Sequence, residues 1–322
     1  MGFFSKLFAG TPRPLPAERV PALGPLIGAI ATDPRQMWST FSTSLRGRWD
    51  LRMDAASAMV DLYLLKQPAA QRTPLINSLV ATDPAAWTMV RALYVLEGAY
   101  TARGSGTKVK DQAGFTSHLN AAQVDVVSVL NADPQDPAPC ALMVTIAKLT
   151  GDDALGAHMH GEGLRRAPDC YALHRALNDK LSARWGGSHQ AQLDHARQVS
   201  ASAPNGSLAA GLPINAIYFH LSHFIQFDDN HSAMMAFAKR PEVMNELRHV
   251  TARSVDDPQH PVSAATFDLR TKALLIGGSA GDADFMRRQF AGIGDVFIDN
   301  TWRQLNPDPE PLFDMYKQMY GR

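Results

Sequence analysis

The sequence predicts an all-α protein built as an array of antiparallel helix pairs. Three observations lead there. Asp-Pro recurs at 33–34, 83–84 and 133–134, each time ahead of an apolar-periodic segment. Asp is a good N-cap and Pro suits the first helical position, so each dipeptide reads as a helix start. Gly104, Gly151, Gly186 and Gly277 follow Pro84, Pro134, Pro168 and Pro261 by 16 to 20 residues. That is the length of one helix closed by a left-handed glycine. Alternating β-branched runs hardly occur, so strand signals are scarce.

The elements follow in order. Pro12, Pro14, Pro16, Pro21 and Pro25 make an extended lead into the fold. The expected organisation is a partly extended tail over residues 1–20 and a single α-helical repeat domain over residues 21–322. After each glycine a second amphipathic segment begins, at 116–130, 153–166, 188–200 and 282–289. The unit is therefore helix, glycine turn, helix, next proline. Pro134 to Pro168 is 34 residues and Pro168 to Pro204 is 36, a period that marks stacked helix pairs. Trp87-Thr-Met-Val-Arg-Ala-Leu93 matches Tyr171-Ala-Leu-His-Arg-Ala-Leu177 at the aromatic and at Arg-Ala-Leu, and Phe267 with Lys272-Ala273-Leu274 echoes both. The turns Arg103-Gly-Ser-Gly106, Arg184-Trp-Gly-Gly-Ser188 and Gly277-Gly-Ser279 repeat in phase with them.

On these residues the helix pairs resemble tetratricopeptide-type repeats, over roughly residues 80 to 300. Gly156 and Gly163 suit the small positions of that repeat, whereas Cys140 and Ala147 stand where it usually has large residues. Arg184-Trp-Gly-Gly-Ser188 is similar to a signature turn in an uncharacterised bacterial family of tetratricopeptide-like proteins. The resemblance implies a tetratricopeptide-like solenoid and carries no activity with it.

Composition narrows the function classes. The 322 residues are 45 % hydrophobic, enough for a sizeable core, and lysine plus arginine equals aspartate plus glutamate at 31 each. Residues 1–110 hold 13 basic against 7 acidic side chains and residues 111–322 hold 18 against 24, so the two parts differ as +6 and −6. The overall balance removes the bulk electrostatic case for nucleic acid, which needs many cations to displace condensed counterions. No apolar stretch approaches the ~20 residues of a membrane span, because the best candidate, 208–227, contains Pro213, Asn215, His220 and His223. Residues 1–10 have no basic residue ahead of their apolar run and Lys6 interrupts it, so they do not read as a signal peptide. Cys140 and Cys170 form no CxxC pair, and a reducing cytoplasmic location fits them.

The motifs resolve mostly into structure. Gly277-Gly-Ser279-Ala-Gly281 is a literal G-x-S-x-G, but a hydrolase elbow needs a later histidine and the last one is His260. Gly104-Ser-Gly-Thr-Lys108 lacks the glycine that a phosphate loop places before its lysine, and reads as an inter-helix loop. His158 and His160 are two apart and point to different helix faces. His220 and His223 share a face, with Asp228, Asp229 and His231 after them, and read as partly buried imidazoles beside Tyr218, Phe219 and Phe224. Asp152–Asp153, Asp228–Asp229 and Asp256–Asp257 lie at turns and read as caps.

No catalytic residue, cofactor or metal is therefore expected. The expected function is a non-catalytic cytosolic helical-repeat scaffold that binds a protein or peptide partner in a concave groove, since stacked pairs leave a long curved surface. The alternative is an all-α hydrolase using clustered His and Asp residues. An enzyme would gather titratable groups in a deep pocket, and a scaffold would present a shallow groove. The partner-binding candidates are the basic residues ahead of Ala-Leu, Arg91, Arg175 and Lys272, with Tyr94, Asn178 and Trp185 near them. The competing role for those cations is pairing with acids of the adjacent helix, which would hold the repeats in register.

Overall fold

The computed structural model describes residues 13–30, 32–104 and 108–321. Among them every regular element is a helix and there is no strand. Residues 1–10 and the centre of the Gly104-to-Lys108 motif, residues 105–107, lie outside the described residues. Chain contacts divide the protein into two compact units, one of residues 21–173 and one of residues 174–321 with residues 13–20.

The first unit holds α1 (Gly24–Ile30), α2 (Arg35–Ser44), α3 (Trp49–Ala58), α4 (Ala69–Thr82), α5 (Pro84–Arg103), α6 (Gln112–Ala132), α7 (Ala138–Thr150), α8 (Asp153–Arg166) and the first turn of α9 (Tyr171–Lys180). From α4 to α8 each helix packs on the next, as helix pairs require. The expected caps form: Asp83 accepts from the Ala86 N–H at 3.2 Å, and Asp152 accepts from that of Leu155 at 2.9 Å. Gly151 closes α7 in the left-handed region, with φ +73°.

Two starts in this unit differ from the sequence reading. α7 begins at Ala138 and not at Pro134, because a second Asp-Pro pair supplies the cap. Asp136 Oδ1 accepts from the Ala138 N–H at 2.8 Å, and its buried carboxylate also takes Arg52 Nη1 at 2.6 Å. α9 begins three residues after Pro168 and is capped from afar. Asp50 of α3 accepts from the Tyr171 and Ala172 N–H groups at 3.1 and 2.9 Å. The unit's core centres on Trp38, whose Nε1 donates to the Ala86 carbonyl at 2.8 Å and whose ring lies 6.1 Å from that of Trp87. Cys140 and Cys170 are buried free thiols, and burial pushes Cys140 up to about 11.

The second unit holds the rest of α9, then α10 (His189–Ser202), α11 (Leu212–Gln226), α12 (His231–Ala238), α13 (Pro241–Arg253), α14 (Ala264–Ala280), α15 (Ala283–Ile293), α16 (Asp299–Arg303) and α17 (Pro309–Tyr320). Here α14 is the hub. It packs on α11, α12, α13, α15 and α16, and not on its sequence neighbours alone. Residues 13–20 belong to this unit. They carry a one-turn helix at Pro16–Arg19, pinned by Arg13–Asp314 and Arg19–Asp295 ion pairs at 2.7 Å each, with the Arg13 guanidinium 4.6 Å over the Phe313 ring.

α14 runs through Gly277 and stops at Gly281, whose φ is +81°. Ser279 Oγ donates to the Leu275 carbonyl at 2.9 Å, so the G-x-S-x-G segment is helix and not an elbow. A Cβ at Gly277 would lie 2.7 Å from the Phe285 ring of α15, so this glycine permits close helix approach where a stop was expected. Among the described residues no helix is long and apolar enough to cross a membrane.

Candidate functional site

α11 is the element that gathers chemistry in the second unit. Asn215, Tyr218, Phe219, Ser222 and His223 recur along it at spacings of three and four, and so share one face. That face carries an amide, a phenol, a hydroxyl and an imidazole where a core helix would carry aliphatic groups.

At one end of the face lies a buried polar network. Lys272 of α14 is only 3 % exposed, and its Nζ donates to Asn215 Oδ1 at 2.6 Å and to Asp268 Oδ2 at 2.7 Å. Thr301 Oγ1 donates to Asp268 Oδ1 at 2.8 Å, and Arg175 Nη2 stands 3.9 Å from Asp268 Oδ2. Asn215 Nδ2 donates to Asp179 Oδ1 at 2.9 Å and to Asn178 Oδ1 at 3.2 Å, and Asn178 Nδ2 donates to the Gln192 carbonyl at 2.8 Å. The Lys272 ammonium also lies 5.4 and 5.7 Å from the Phe219 and Tyr218 ring centroids, within cation–π range. Burial pushes the Asp268 carboxyl up, but the Lys272 and Arg175 charges outweigh it and hold the group below the usual carboxylate range. Burial lowers the Lys272 ammonium, with Asp268 opposing. Burial raises the Tyr218 phenol well above its ordinary value, and its hydroxyl donates to the Thr301 carbonyl.

The structure thus brings Arg175, Asn178 and Lys272 together, in a network whose members bond one another. Asn178 is fully buried, and only Arg175 keeps a substantial part of its side chain in water. Arg91 and Tyr94 lie elsewhere, on α5. Arg91 grips Asp125 of α6 with Nε at 2.8 Å and Nη2 at 2.5 Å, and Tyr94 Oη is 3.2 Å from Thr73 Oγ1 of α4. Arg91 therefore pairs with an acid of the next helix, as the competing reading has it, whereas Lys272 pairs with Asp268 four residues earlier on its own helix. Asp125, Asp268, Asn215 and Thr301 were missed in the sequence. Only Asp268 had a local signal, four residues before Lys272 on one helix.

At the other end of the α11 face the Trp-Gly-Gly-Ser turn opens a cleft. Trp185 lies in the one-turn helix Ala183–Trp185, with the Arg184 guanidinium 5.8 Å over its ring, and Gly186 turns the chain at φ +88°. Ser188 then caps α10, accepting from the Ala191 N–H at 3.0 Å, and so places His189 at the helix start. Arg184, His189, Phe219, Ser222, His223 and Phe227 line the cleft. It encloses about 20 Å³, room for one water and not for an organic substrate.

Three imidazoles pack beside it. His189 stacks on His220 at 4.0 Å and meets His223 edge-on at 4.7 Å, while His220 lies 4.3 Å from Phe237. His223 Nε2 is 3.9 Å from Asp228 Oδ1. Burial, then the neighbouring imidazoles, lower His220 to about 4, and the same causes lower His189. The guanidinium of Arg184 is a permanent cation on the cleft. The sequence paired His220 with His223 but missed His189, which is far from them along the chain and adjacent only through packing. The Ser182 and Ser222 hydroxyls donate to the Asp179 and Phe219 carbonyls, at 2.8 and 3.1 Å.

Compared with known proteins, the chain matches no family model, no curated protein and no solved structure.

Proposed function

We propose that the chain is a non-catalytic, cytosolic helical scaffold that binds a protein or peptide partner. In this reading the consecutive pairs from α4 to α8 stack as a tetratricopeptide-like array, and the partner docks beside the Trp-Gly-Gly-Ser turn. The observation that carries it is the shape and lining of the cleft. It is small, Phe227 on its wall is 48 % exposed, and Arg184, Gln226 and Gln304 stand around it. An exposed aromatic beside an arginine and side-chain amides suits an apolar side chain next to a carboxylate. The two free buried thiols suit a reducing compartment.

A hydrolytic reading would draw on His223 and Asp228. It is supported less well, because the nearby serine hydroxyls are bonded to backbone carbonyls and the imidazoles stack on one another and on phenyl rings. Selection of displayed peptides on the full chain tests the proposal. The expected ligands carry an acid beside a bulky apolar residue, and Arg184→Glu combined with Phe227→Ala abolishes their binding without moving the melting temperature. Peptides that bind equally well after both changes would overturn the assignment.

A further inference from the structure

α6 presents a solvent face unlike those of its neighbours. Thirteen of its 21 residues are exposed, and none of the thirteen is Asp, Glu, Lys or Arg. The helix has one such residue, Asp125, and that is buried against Arg91. Solvent-facing helix surfaces ordinarily carry charge, and depletion of charge is a mark of interface cores. The centre of this face is apolar: Val124 is 69 % exposed and Val127 is 39 % exposed.

The order of side chains along the face is a second feature. Ala113, Ser117, Asn120, Val124, Val127 and Asn131 alternate by four and three, the seam of a helix that packs lengthwise against another. Its central part, Asn120, Val124, Val127 and Asn131, reads the same from either end: four, three, four, with valines inside and asparagines outside. A palindromic seam has a specific partner. When two copies meet antiparallel about a two-fold axis, contacts are reciprocal. Val124 then faces Val127 of the second copy, Val127 faces its Val124, and Asn120 and Asn131 face each other at both ends. Each asparagine amide offers both donors and an acceptor to its mate. Gln123 and Ser128, also exposed, pair in the same register. A copy of this face brings no charge into the contact, so nothing is stranded without a partner. A charged partner surface would lose its hydration here with no counter-charge to replace it.

We propose that the chain forms a two-fold homodimer through α6, in antiparallel register with Val124 against Val127. The contact is about one helix long, which places it among weaker associations. It involves none of the cleft residues, so its failure and the failure of the partner-binding reading are separable.

Sedimentation velocity on the full chain over a concentration series tests it. The wild-type chain is expected to shift from the mass of one chain to that of two as concentration rises. Val124→Glu alone and Val127→Lys alone each abolish the shift, while circular dichroism and melting temperature stay at the wild-type values, since both side chains are exposed. The double variant Val124→Glu/Val127→Lys restores the dimer, because the acid introduced on each copy faces the base introduced on the other. Monomer at every wild-type concentration, or a dimer indifferent to both single changes, overturns the proposal. Loss in the single variants without recovery in the double overturns the antiparallel register.

Discussion

Asp61 lies in the π-helix Met59–Leu64 and belongs to a pair of acids held against their ordinary chemistry. Burial raises its carboxyl to about 7, the charge of Glu97 adds to the rise, and Lys66 opposes it. Glu97 is raised by burial too, and its Oε1 has no hydrogen-bond partner among the described residues. A carboxyl raised in the folded state gives stability that is whole below the unfolded value near 4 and is lost as pH climbs through about 7. Full desolvation over that span is worth roughly 4 kcal/mol, and water at the half-buried edge brings it down to ~2 kcal/mol. Denaturant melts at pH 5 and pH 8 should show the loss, and Asp61→Asn should flatten it; an unchanged slope in the variant would remove Asp61 from the account. At Arg91 the bidentate grip on buried Asp125 makes a second prediction. Arg91→Ala leaves that carboxylate without its cation and should cost ~1–3 kcal/mol, discounted from a fully buried pair because Arg91 is a quarter exposed. Arg91→Lys should recover only part of it, since an ammonium cannot reproduce the fork.

At the scale of the element, α14 shows how a motif changes meaning once its neighbours are present. Gly277 and Gly278 lie inside the helix, where Ala would ordinarily be favoured by about 1 kcal/mol. A Cβ at 277 meets the Phe285 ring at 2.7 Å, whereas one at 278 meets Tyr316 Oη at 3.0 Å and the flexible end of Met286 at 3.2 Å. Gly277→Ala should therefore destabilise by ~1–3 kcal/mol despite its better propensity, and Gly278→Ala should be close to neutral because those groups can move. Calorimetry on the two variants checks the ordering. Equal and stabilising effects would mean that α15 yields to the added methyl group. For Ser279, bonded to Leu275 within the helix, replacement by Ala should leave stability nearly unchanged.

At the scale of the whole molecule the governing fact is charge balance: 31 cations against 31 acids, with a formal net charge of zero. A chain near its isoelectric point has little net repulsion to hold copies apart. Association through an uncharged helix face should also be indifferent to salt, because screening acts on charges. The wild-type dimer should thus survive added sodium chloride, while the dimer of the Val124→Glu/Val127→Lys variant should weaken with it. Salt-induced dissociation of the wild-type pair would point to a charged surface and away from α6. Far-UV circular dichroism of the same samples should show helix with no strand component.

The sequence by itself determined the helical class, several of the helix ends and the packing of consecutive helices from α5 to α8. Those features rest on local chemistry. A cap bonds an amide three residues ahead, a left-handed glycine needs no distant partner, and an apolar stripe is written within one helix. Where a local signal had a rival nearby, the outcome needed the fold: Asp136-Pro137 displaced Asp133-Pro134, and Gly281 displaced Gly277. Only the tertiary structure decided what the charged and polar residues do. Arg91 has no identifiable acid until Asp125 arrives on the next helix. Asn215 reads as unrelated to Asn178 and Lys272 until α9, α11 and α14 pack. His189 joins His220 and His223 only because α10 folds against α11. A side-chain hydrogen bond or ion pair is set by distance in space, and the separation of its partners along the chain, 121 residues for Asp50 and the start of α9, leaves no pattern in the sequence to read.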